Sequence, residues 1–422
     1  MNEDKRNAIE YDLADKLARF KDQFVNTDDV IYLDGNSLGK LPKKTLESQQ
    51  ELVKQQWGNR LIRGWNEGWI EMGSRIGAKI ASLVGAQPDE IFVGDTTSIH
   101  LYKLAFAALT YQKNRTEILT DDLNFPSDLY VLQGLISNHF PNHNLTIIPS
   151  TGNEMSIKSI EEKLTSNASL LTLSHVAYKS SFLYPMKKIN ELAHKKDCLV
   201  LWDLSHSVGA VPIDLNKSKA DMAVGCTYKY LNGGPGSPAF LYVRKDLQST
   251  LKNPIWSWFS HVRPFDFQNE YQPSPFINKF AISTPSILSM AAIEPGVELL
   301  LEAGMSNIRN KSEAQSEFLV HLIEKYLLPL GFQIASPTKI AFRGSHISIT
   351  HTEAYRINRA MIAPKGSHRM VIPDFRPPNN IRLGIAPLYT SYVDLFDAII
   401  RIRDIVLTKE FEGFNHDQEL VP

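Results

Sequence analysis

The sequence contains little cysteine and no long apolar run. Only Cys198 and Cys226 occur among its 422 residues, and both lie in apolar, strand-like segments. This argues against a disulfide framework and predicts two buried thiols in a reducing, cytoplasmic setting. No apolar run approaches the roughly 18 residues of a membrane span, and the charged N-terminus lacks the apolar core of a signal peptide. We therefore expect no membrane partner.

The sequence also lacks an excess of positive or of negative charge. The chain has 45 basic and 46 acidic residues, for a net charge of −1, without long runs of either. Nothing in this balance favours a nucleic acid as partner. Cys and His residues with zinc-ligand spacing are absent too, so we expect no metal. The length suits a large α/β domain with a smaller one.

Short apolar segments alternate with helical patterns from residue 90 onward. This alternation predicts an α/β fold with a mostly parallel, seven-stranded sheet covered on both faces. The loop before the last segment is too short for a crossover helix, which predicts one antiparallel strand. The seven predicted strands are Ile91–Val93, Glu117–Leu119, Leu145–Ile148, Leu170–Leu173, Leu199–Trp202, Met222–Val224 and Ala239–Val243.

The chain is predicted to divide into three parts. Residues 1–45 form an N-terminal segment that packs with the small domain, 46–300 form the large domain, and 301–422 form a small α+β domain. Apolar residues at helical spacing predict an amphipathic helix over 7–24, with Ile9, Leu13, Leu17 and Phe20 on one face. Further helices are predicted at 43–57, 74–84, 286–303, 310–328, 352–362 and 391–407.

The most informative stretch runs from Leu199 to Tyr230. An apolar strand ends at Asp203, with His206 three residues on, and a second strand leads into Tyr228 and Lys229 before a glycine-rich loop. Taken singly, such an acid is usually a turn residue and such a lysine a surface charge. Together they match what pyridoxal phosphate (PLP) requires, because an acid keeps the pyridine nitrogen protonated and a lysine carries the cofactor as a Schiff base.

Two other strand ends carry candidate cofactor contacts. Thr96 and Thr97 follow a strand and precede an apolar helix, an arrangement that binds phosphate; alternatively, they only cap the helix. Phe125 could stack on a flat ring, although a core phenylalanine is the simpler interpretation. Asp128 and Ser174 follow neighbouring strands, where ligands bind in open parallel sheets.

An arginine near the C-terminus is the candidate carboxylate ligand. Arg382 is flanked by apolar residues, and its forked guanidinium suits an α-carboxylate. The alternative is an ion pair within the domain. Tryptophans are dense in otherwise polar, loop-like stretches, which indicates an aryl-substrate site, an oligomer interface or core packing. These tryptophans are Trp65, Trp69, Trp256 and Trp258.

Several motifs across the chain resemble the kynureninase family, a fold-type I group of PLP enzymes related to class V aminotransferases. The matching segments include Leu33-Asp34-Gly35-Asn36-Ser37-Leu38-Gly39, Asn124-Phe125-Pro126-Ser127-Asp128, Asp203-Leu204-Ser205-His206, Tyr228-Lys229-Tyr230-Leu231-Asn232, Trp258-Phe259-Ser260-His261 and Ala386-Pro387-Leu388-Tyr389. The resemblance implies PLP-dependent hydrolysis of L-kynurenine to anthranilate and L-alanine in tryptophan degradation. Biosynthesis of NAD remains an alternative context.

The resemblance also implies roles for individual residues. Lys229 would bind the cofactor and act with Tyr228 and Asp203 in catalysis. The implied cofactor contacts are Thr96, Thr97, Phe125, Asp128, Ser174, Asp203, His206, Tyr228 and Lys229. Trp258 and Thr284 would reach the cofactor phosphate of a neighbouring subunit, which implies a homodimer with shared sites. Arg382 and Asn36 would bind the substrate carboxylate, and Trp65 would line the substrate site.

Two positions resemble the bacterial form of the family, which prefers kynurenine to its 3-hydroxy derivative. Animal-type members have asparagine at the position of Thr284 and histidine at that of Trp65. The neighbouring Ser283 departs from the glycine expected in the bacterial form. A cysteine desulfurase-like β-lyase on the same fold is the alternative activity. It needs a cysteine on a mobile loop, and both cysteines here are predicted to be buried.

Overall fold

The computed structural model describes residues 3–25, 29–364, 366 and 368–417. Within these ranges the chain forms twelve α-helices and thirteen β-strands. The helices are α1 (Glu3–Ala14), α2 (Lys43–Glu51), α3 (Trp69–Val84), α4 (Thr97–Tyr111), α5 (Pro126–His139), α6 (Ile157–Lys163), α7 (Met186–His194), α8 (Ile287–Met290), α9 (Ile293–Ala303), α10 (Met305–Tyr326), α11 (Ala354–Ile362) and α12 (Tyr392–Leu407). The strands are β1 (Val30–Tyr32), β2 (Ile91–Gly94), β3 (Glu117–Asp121), β4 (Asn144–Ile148), β5 (Ala168–Ser174), β6 (Leu199–Asp203), β7 (Met222–Gly225), β8 (Ala239–Val243), β9 (Gln333–Ile334), β10 (His346–Thr350), β11 (Met370–Ile372), β12 (Asp374–Arg376) and β13 (Asn380–Gly384).

All seven predicted strands of the large sheet are present. Their order is β2-β8-β7-β6-β5-β3-β4, and only β8 runs antiparallel to its neighbours. The predicted antiparallel strand is therefore confirmed. The connection from β7 to β8 carries no helix, so the chain returns directly alongside β7 instead of crossing over the sheet.

Apolar side chains alternate between the two faces of this sheet. In β6, Leu199 and Leu201 pack into a core cluster that includes the α4 residue Leu104. Val200 and Trp202 pack on the opposite face, in a cluster that includes Ile189 of α7. Burying each such side chain contributes about 1.5–3 kcal/mol. Since both faces are covered at β6, this strand is apolar up to Asp203, which is why the sequence pattern located it.

The N-terminal helix is shorter than predicted. It ends at Ala14, and the predicted continuation to residue 24 is wrong, because a turn and a 3₁₀-helix (Ala18–Gln23) follow. The Asp15 carboxylate accepts a hydrogen bond from the Leu17 amide at 2.8 Å, a local bond that competes with helix continuation. Leu13, within α1, is 83% exposed, whereas Leu17 and Phe20, beyond its end, are buried.

Other helix ends also differ from the predicted ones. The predicted helix over 43–57 is α2 followed by a π-helical segment, Leu52–Arg60. The predicted helix over 286–303 is divided into α8 and α9, and the helix predicted to begin at 310 begins at Met305. In the described part of the chain, no helix is long and apolar enough to cross a membrane.

A second, antiparallel sheet forms in the C-terminal part, with the order β12-β13-β10-β9. The N-terminal segment joins this part: β1 pairs in parallel with β11, and the Asp12 carboxylate accepts hydrogen bonds from the Tyr392 and Val393 amides at the start of α12. The predicted small α+β unit is present. The domain boundaries at 45 and 300 stay a prediction.

Candidate active site

The carboxyl ends of five parallel strands meet at one edge of the large sheet. The turns after β2, β3, β5, β6 and β7 enclose a cavity of about 250 Å³ there, as open parallel sheets commonly do. The cavity is lined by Ser37, Thr97, Ser98, Phe125, Ser127, Asp128, Tyr178, Asp203, Ser205, His206, Tyr228, Lys229, Arg376 and Arg382. Eight of the predicted site residues are thus brought together.

Lys229 projects into this cavity beside His206. Its Nζ lies 2.8 Å from His206 Nε2 and 5.9 Å from the centre of the Phe125 ring. Burial lowers the pKa of Lys229 below its usual value. Burial, with the neighbouring Lys229, lowers the pKa of His206 well below its usual range. A larger uncharged fraction makes the Lys229 amine a better nucleophile and base.

Two buried carboxyl groups form the floor of the cavity. Asp203 accepts a hydrogen bond from the Ser205 amide at 2.8 Å, whereas Asp128 Oδ2 has no partner among the described residues. Burial raises the pKa of both groups, and the proximity of Asp203 raises that of Asp128 further. Because a buried carboxylate needs a cationic partner, this pair fits a protonated pyridine ring.

The turn between β2 and α4 presents hydroxyl groups to the cavity. Thr97 and Ser98 line it at the start of α4, and Ser98 Oγ lies 3.1 Å from Ser127 Oγ. Thr96 is the N-cap of α4, since its Oγ1 accepts a hydrogen bond from the Ile99 amide at 3.4 Å. A helix start with adjacent hydroxyls suits a phosphate group, and Thr96 also fulfils the capping alternative.

Phe125 offers an exposed ring for stacking. Its side chain is 37% exposed, and it meets the Tyr178 ring edge-on at 5.2 Å. The core alternative for Phe125 is therefore not what the structure shows. Ser174 lies behind this loop, where its Oγ donates to Asn124 Oδ1 at 2.6 Å. Asn124 Oδ1 also accepts from the Phe125 amide at 2.9 Å, so Ser174 supports the loop that carries the ring.

Arg382 lies on the opposite side of the cavity from the sheet. On β13 it stands directly across from Asp374 of β12, and its Nε donates to the Asp374 carboxylate. Its Nη1 donates to the Tyr178 carbonyl at 2.6 Å and its Nη2 to Ser37 Oγ at 3.0 Å. Arg382 therefore forms the internal ion pair of the alternative interpretation and also lines the cavity, and its role as a carboxylate ligand stays a prediction.

The loop over residues 34–39 brings Ser37 to the cavity but turns Asn36 inward. The Gly39 amide donates to the Tyr228 carbonyl at 2.8 Å, and a Cβ at Gly39 would collide with the Lys229 backbone. Asn36 is fully buried, and its side-chain amide packs against Gly384. A Cβ atom at Gly384 would collide with this amide. Ser37, rather than Asn36, contacts Arg382.

Three predicted site residues lie away from this cavity. Trp65 and Trp258 both contact Phe259, at ring distances of 6.1 and 4.3 Å, in an aromatic cluster. Trp258 is 39% exposed, and Thr284 is exposed as well. The roles implied for Trp258 and Thr284 involve a neighbouring subunit, so their exposure within one chain agrees with that prediction without testing it.

Sequence reasoning missed two charged residues of the site. Asp374 and Arg376 are two positions apart on β12, and Arg376 Nε donates to the Asp374 carboxylate at 2.8 Å. Their spacing was a usable signal, because side chains two apart in a strand share one face. What it could not reveal is the register that places Asp374 opposite Arg382.

Comparison with known proteins bears directly on this site. A kynureninase from Pseudomonas fluorescens is 37% identical over 407 residues, covering 95% of each chain. A kynureninase from Burkholderia mallei is 38% identical over 414 residues, covering 97% of each. The chain belongs to the kynureninase family. The family description of the kynureninase C-terminal domain also matches residues 308–402.

Two solved structures share the fold of this member of the kynureninase family. The apo cysteine desulfurase from Thermococcus onnurineus superimposes with a TM-score of 0.79 at 15% identity, covering 93% of this chain and 98% of that one. A C-DES mutant with glycine covalently linked to its PLP cofactor superimposes with a TM-score of 0.78 at 17% sequence identity. The match covers 91% of this chain and 99% of that one. At such identities the likeness concerns the fold alone.

The two cysteines argue against desulfurase chemistry in this kynureninase-family chain. Cys198 and Cys226 are both buried and free. Burial raises the pKa of both thiols, that of Cys198 to about 12, so neither is a ready nucleophile. Neither lines the cavity in the described part of the chain. The β-lyase alternative therefore lacks the residue it needs.

Proposed function

We propose that the protein hydrolyses L-kynurenine to anthranilate and L-alanine with PLP as cofactor. The observation that carries this proposal is a single cavity with Lys229 and Asp203 on the sheet side and Arg382 on the opposite side. One side has the groups that a PLP enzyme requires, and the other has the Arg382 guanidinium, which can bind a carboxylate with two hydrogen bonds. Membership of the kynureninase family supports the choice of substrate.

The residues present fit PLP. Asp128 Oδ2 and His206 Nδ1 are buried atoms without a hydrogen-bond partner among the described residues, and such atoms call for a polar ligand. Asp203, His206 and Asp128 would face the ring, with Phe125 stacked on it and Ser174 behind the loop. Thr96, Thr97 and Tyr228 would hold the phosphate. When bound, PLP supplies an electron sink that stabilises negative charge at the substrate α-carbon.

The chain's own residues account for binding and proton transfer. Arg382 holds the substrate α-carboxylate and thereby fixes the α-carbon near Lys229. The Lys229 amine, with its lowered pKa, takes the proton from that carbon. Tyr228 lies beside Lys229, whose Nζ is 5.9 Å from the Tyr228 ring centre, and it relays protons in the later steps that cleave the carbon–carbon bond.

We also propose that two copies of the chain form a homodimer with shared sites. Five apolar side chains from two segments are each more than half exposed, namely Leu61, Ile62, Trp256, Phe265 and Phe267. Trp65 of the first segment and Trp258 of the second both contact Phe259, so the two segments lie side by side. Apolar surface of this kind usually marks an interface. Trp258 belongs to the same cluster, which supports its role in the partner's site.

Light scattering tests the dimer. Ile62→Asp is expected to shift the protein to the monomer mass and reduce turnover, whereas Leu13→Asp, at an exposed position on α1, should leave the dimer intact. A monomeric wild type would contradict this proposal.

Trp65 and Thr284 support a preference for kynurenine over 3-hydroxykynurenine. Parallel turnover assays with both substrates and added PLP test the function and this preference together. Anthranilate release with kynurenine preferred is the expected result. Preference for the hydroxylated substrate would retain the activity and refute the preference inferred from Trp65 and Thr284, and no product from either would refute the function. The cytoplasmic location and the pathway context stay predictions.

A further inference from the structure

Lys103 is a buried lysine to which neither the sequence motifs nor the proposed reaction assigns a role. It lies on α4 between the core residues Leu101 and Leu104, and its side chain is fully buried. Burial lowers its pKa to about 8, while the nearby Asp95 counteracts this effect. Because burying an ammonium group is costly, its hydrogen-bond partners indicate what the position achieves.

Two segments of chain converge on this ammonium group. Lys103 Nζ donates to Asp95 Oδ2 at 2.8 Å and to the Phe280 carbonyl at 2.6 Å. It also lies 5.3 Å from the centre of the Phe92 ring. Asp95 has a left-handed backbone, with φ of 43°, which a residue other than glycine rarely adopts without support.

Each segment leads to a proposed phosphate contact. Asp95 immediately precedes Thr96 and Thr97 in the turn between β2 and α4. Its carbonyl also accepts a hydrogen bond from the Ala239 amide of β8 at 3.0 Å, so both ends of the residue are fixed. Phe280 ends a 3₁₀-helix four residues before Thr284. Lys103 therefore joins the turn that serves one site to the segment proposed to serve the partner's site.

We propose that Lys103 is a positioning residue for the cofactor phosphate, holding the turn at 94–97 and the segment after Phe280 in fixed relative positions. The ammonium group itself lies behind the turn, in the apolar core, and acts through Asp95 and the Phe280 carbonyl. This inference rests on the proposed function, because it presupposes that the turn binds the phosphate of PLP.

PLP affinity is the decisive measurement. The full-length protein is stripped of PLP and titrated with it, following cofactor absorbance and equilibrium dialysis. Lys103→Met is expected to raise the PLP dissociation constant at least tenfold, whereas kcat at saturating PLP falls less than threefold. The matched control is Lys311→Met, because Lys311 is also buried and bonds one carboxylate, Asp15, and one carbonyl, Pro387. That control should lose thermal stability without changing PLP affinity.

Asp95→Asn provides the second test, since Asp95 is partly exposed and its substitution is milder. We expect Asp95→Asn to raise the PLP dissociation constant severalfold. Adding Lys103→Met to this variant should raise the constant little further. This variant decides the question if Lys103→Met fails to fold.

Unchanged PLP affinity in Asp95→Asn, or an equal loss of affinity in Lys311→Met, would overturn the inference. If the inference on Lys103 fails but the wild type binds PLP and cleaves kynurenine, the proposed function still holds. A wild type that does neither would refute the function itself.

Discussion

The two sides of the cavity differ in how their polar groups are satisfied. On the sheet side, Asp128 Oδ2 and His206 Nδ1 are buried without partners among the described residues. On the other side, three donors of Arg382 already bind Asp374, Tyr178 and Ser37. A guanidinium has five N–H donors, so two remain. The sheet side thus needs a ligand to satisfy it, whereas the substrate side is assembled in advance.

The largest effect is expected from removing the central amine of the sheet side. Lys229→Ala should reduce kynurenine turnover by about 10³-fold or more, because no neighbouring group replaces the amine as cofactor ligand and base. Steady-state assays with added PLP measure this loss. Lys217→Ala, at an 87% exposed side chain, is the control and should retain full activity. Residual activity within tenfold of wild type would show that Lys229 is not the base.

Tyr228 tests whether the sheet side also moves protons. Tyr228→Phe is expected to slow turnover about 10²-fold while PLP still binds, because the phenol is the proposed relay. The adjacent Cys226 and burial raise the pKa of Tyr228, so it is protonated at neutral pH and able to donate. Tyr230→Phe is the control, since its hydroxyl donates instead to the Ser345 carbonyl at 3.2 Å. Equal rates for wild type and Tyr228→Phe would dismiss the relay.

On the substrate side, Asp374 is the group that fixes both arginines. Asp374→Asn should raise the KM for kynurenine about ten- to hundredfold, the range expected for losing a charge-assisted hydrogen bond of about 1.5–3 kcal/mol. PLP affinity should not change, since the sheet side is untouched. The control is Asp246→Asn, because Asp246 pairs with Arg244 at a more exposed site. A fall in kcat at constant KM would mean that the two sides are not separable.

The effect furthest from catalysis concerns stability and its dependence on pH. Burial and the nearby Asp374 raise the pKa of Asp34 to about 7, and burial raises that of Asp121 to about 7. Between about pH 4 and 7 the unfolded chain loses these protons and the folded chain keeps them, so stability falls as pH rises through this window.

Urea unfolding at pH 5 and pH 8 measures this pH dependence. Asp34→Asn should remove its share of this dependence, at about 1.4 kcal/mol per unit of pKa shift removed, and leave the share of Asp121. Asp246→Asn should leave it unchanged, because Arg244 lowers the pKa of Asp246. Identical pH dependence in wild type and Asp34→Asn would exclude Asp34 as its source.

Sequence patterns located the large sheet because its central strands are buried on both faces. The apolar run from Leu199 to Trp202 is an example, since all its side chains are buried. The end of α1 was not predictable from periodicity, because it depends on the Asp15 carboxylate bonding a nearby amide. Strands β11 and β12 have only three residues each, which is too short a run to show a strand periodicity.

The site was predictable where its residues follow parallel strands. Asp128, Asp203 and Lys229 could be expected at one edge of the sheet, since successive carboxyl ends meet there. The contacts of Arg382 were not predictable, because Ser37 and Tyr178 lie 345 and 204 positions away in the chain. Those contacts depend on tertiary packing of three separate segments.

The reversed strand β8 sets a limit on how this protein can be engineered. The chain passes Lys229 and then returns along β7, so that Ala239 bonds the Asp95 carbonyl beside the proposed phosphate turn. Only the residues between Gly225 and Ala239 make this connection. An insertion there would displace β8, and with it the turn before α4. Peptide tags and reporter domains therefore belong elsewhere in the chain, and loop grafts between relatives must conserve this length.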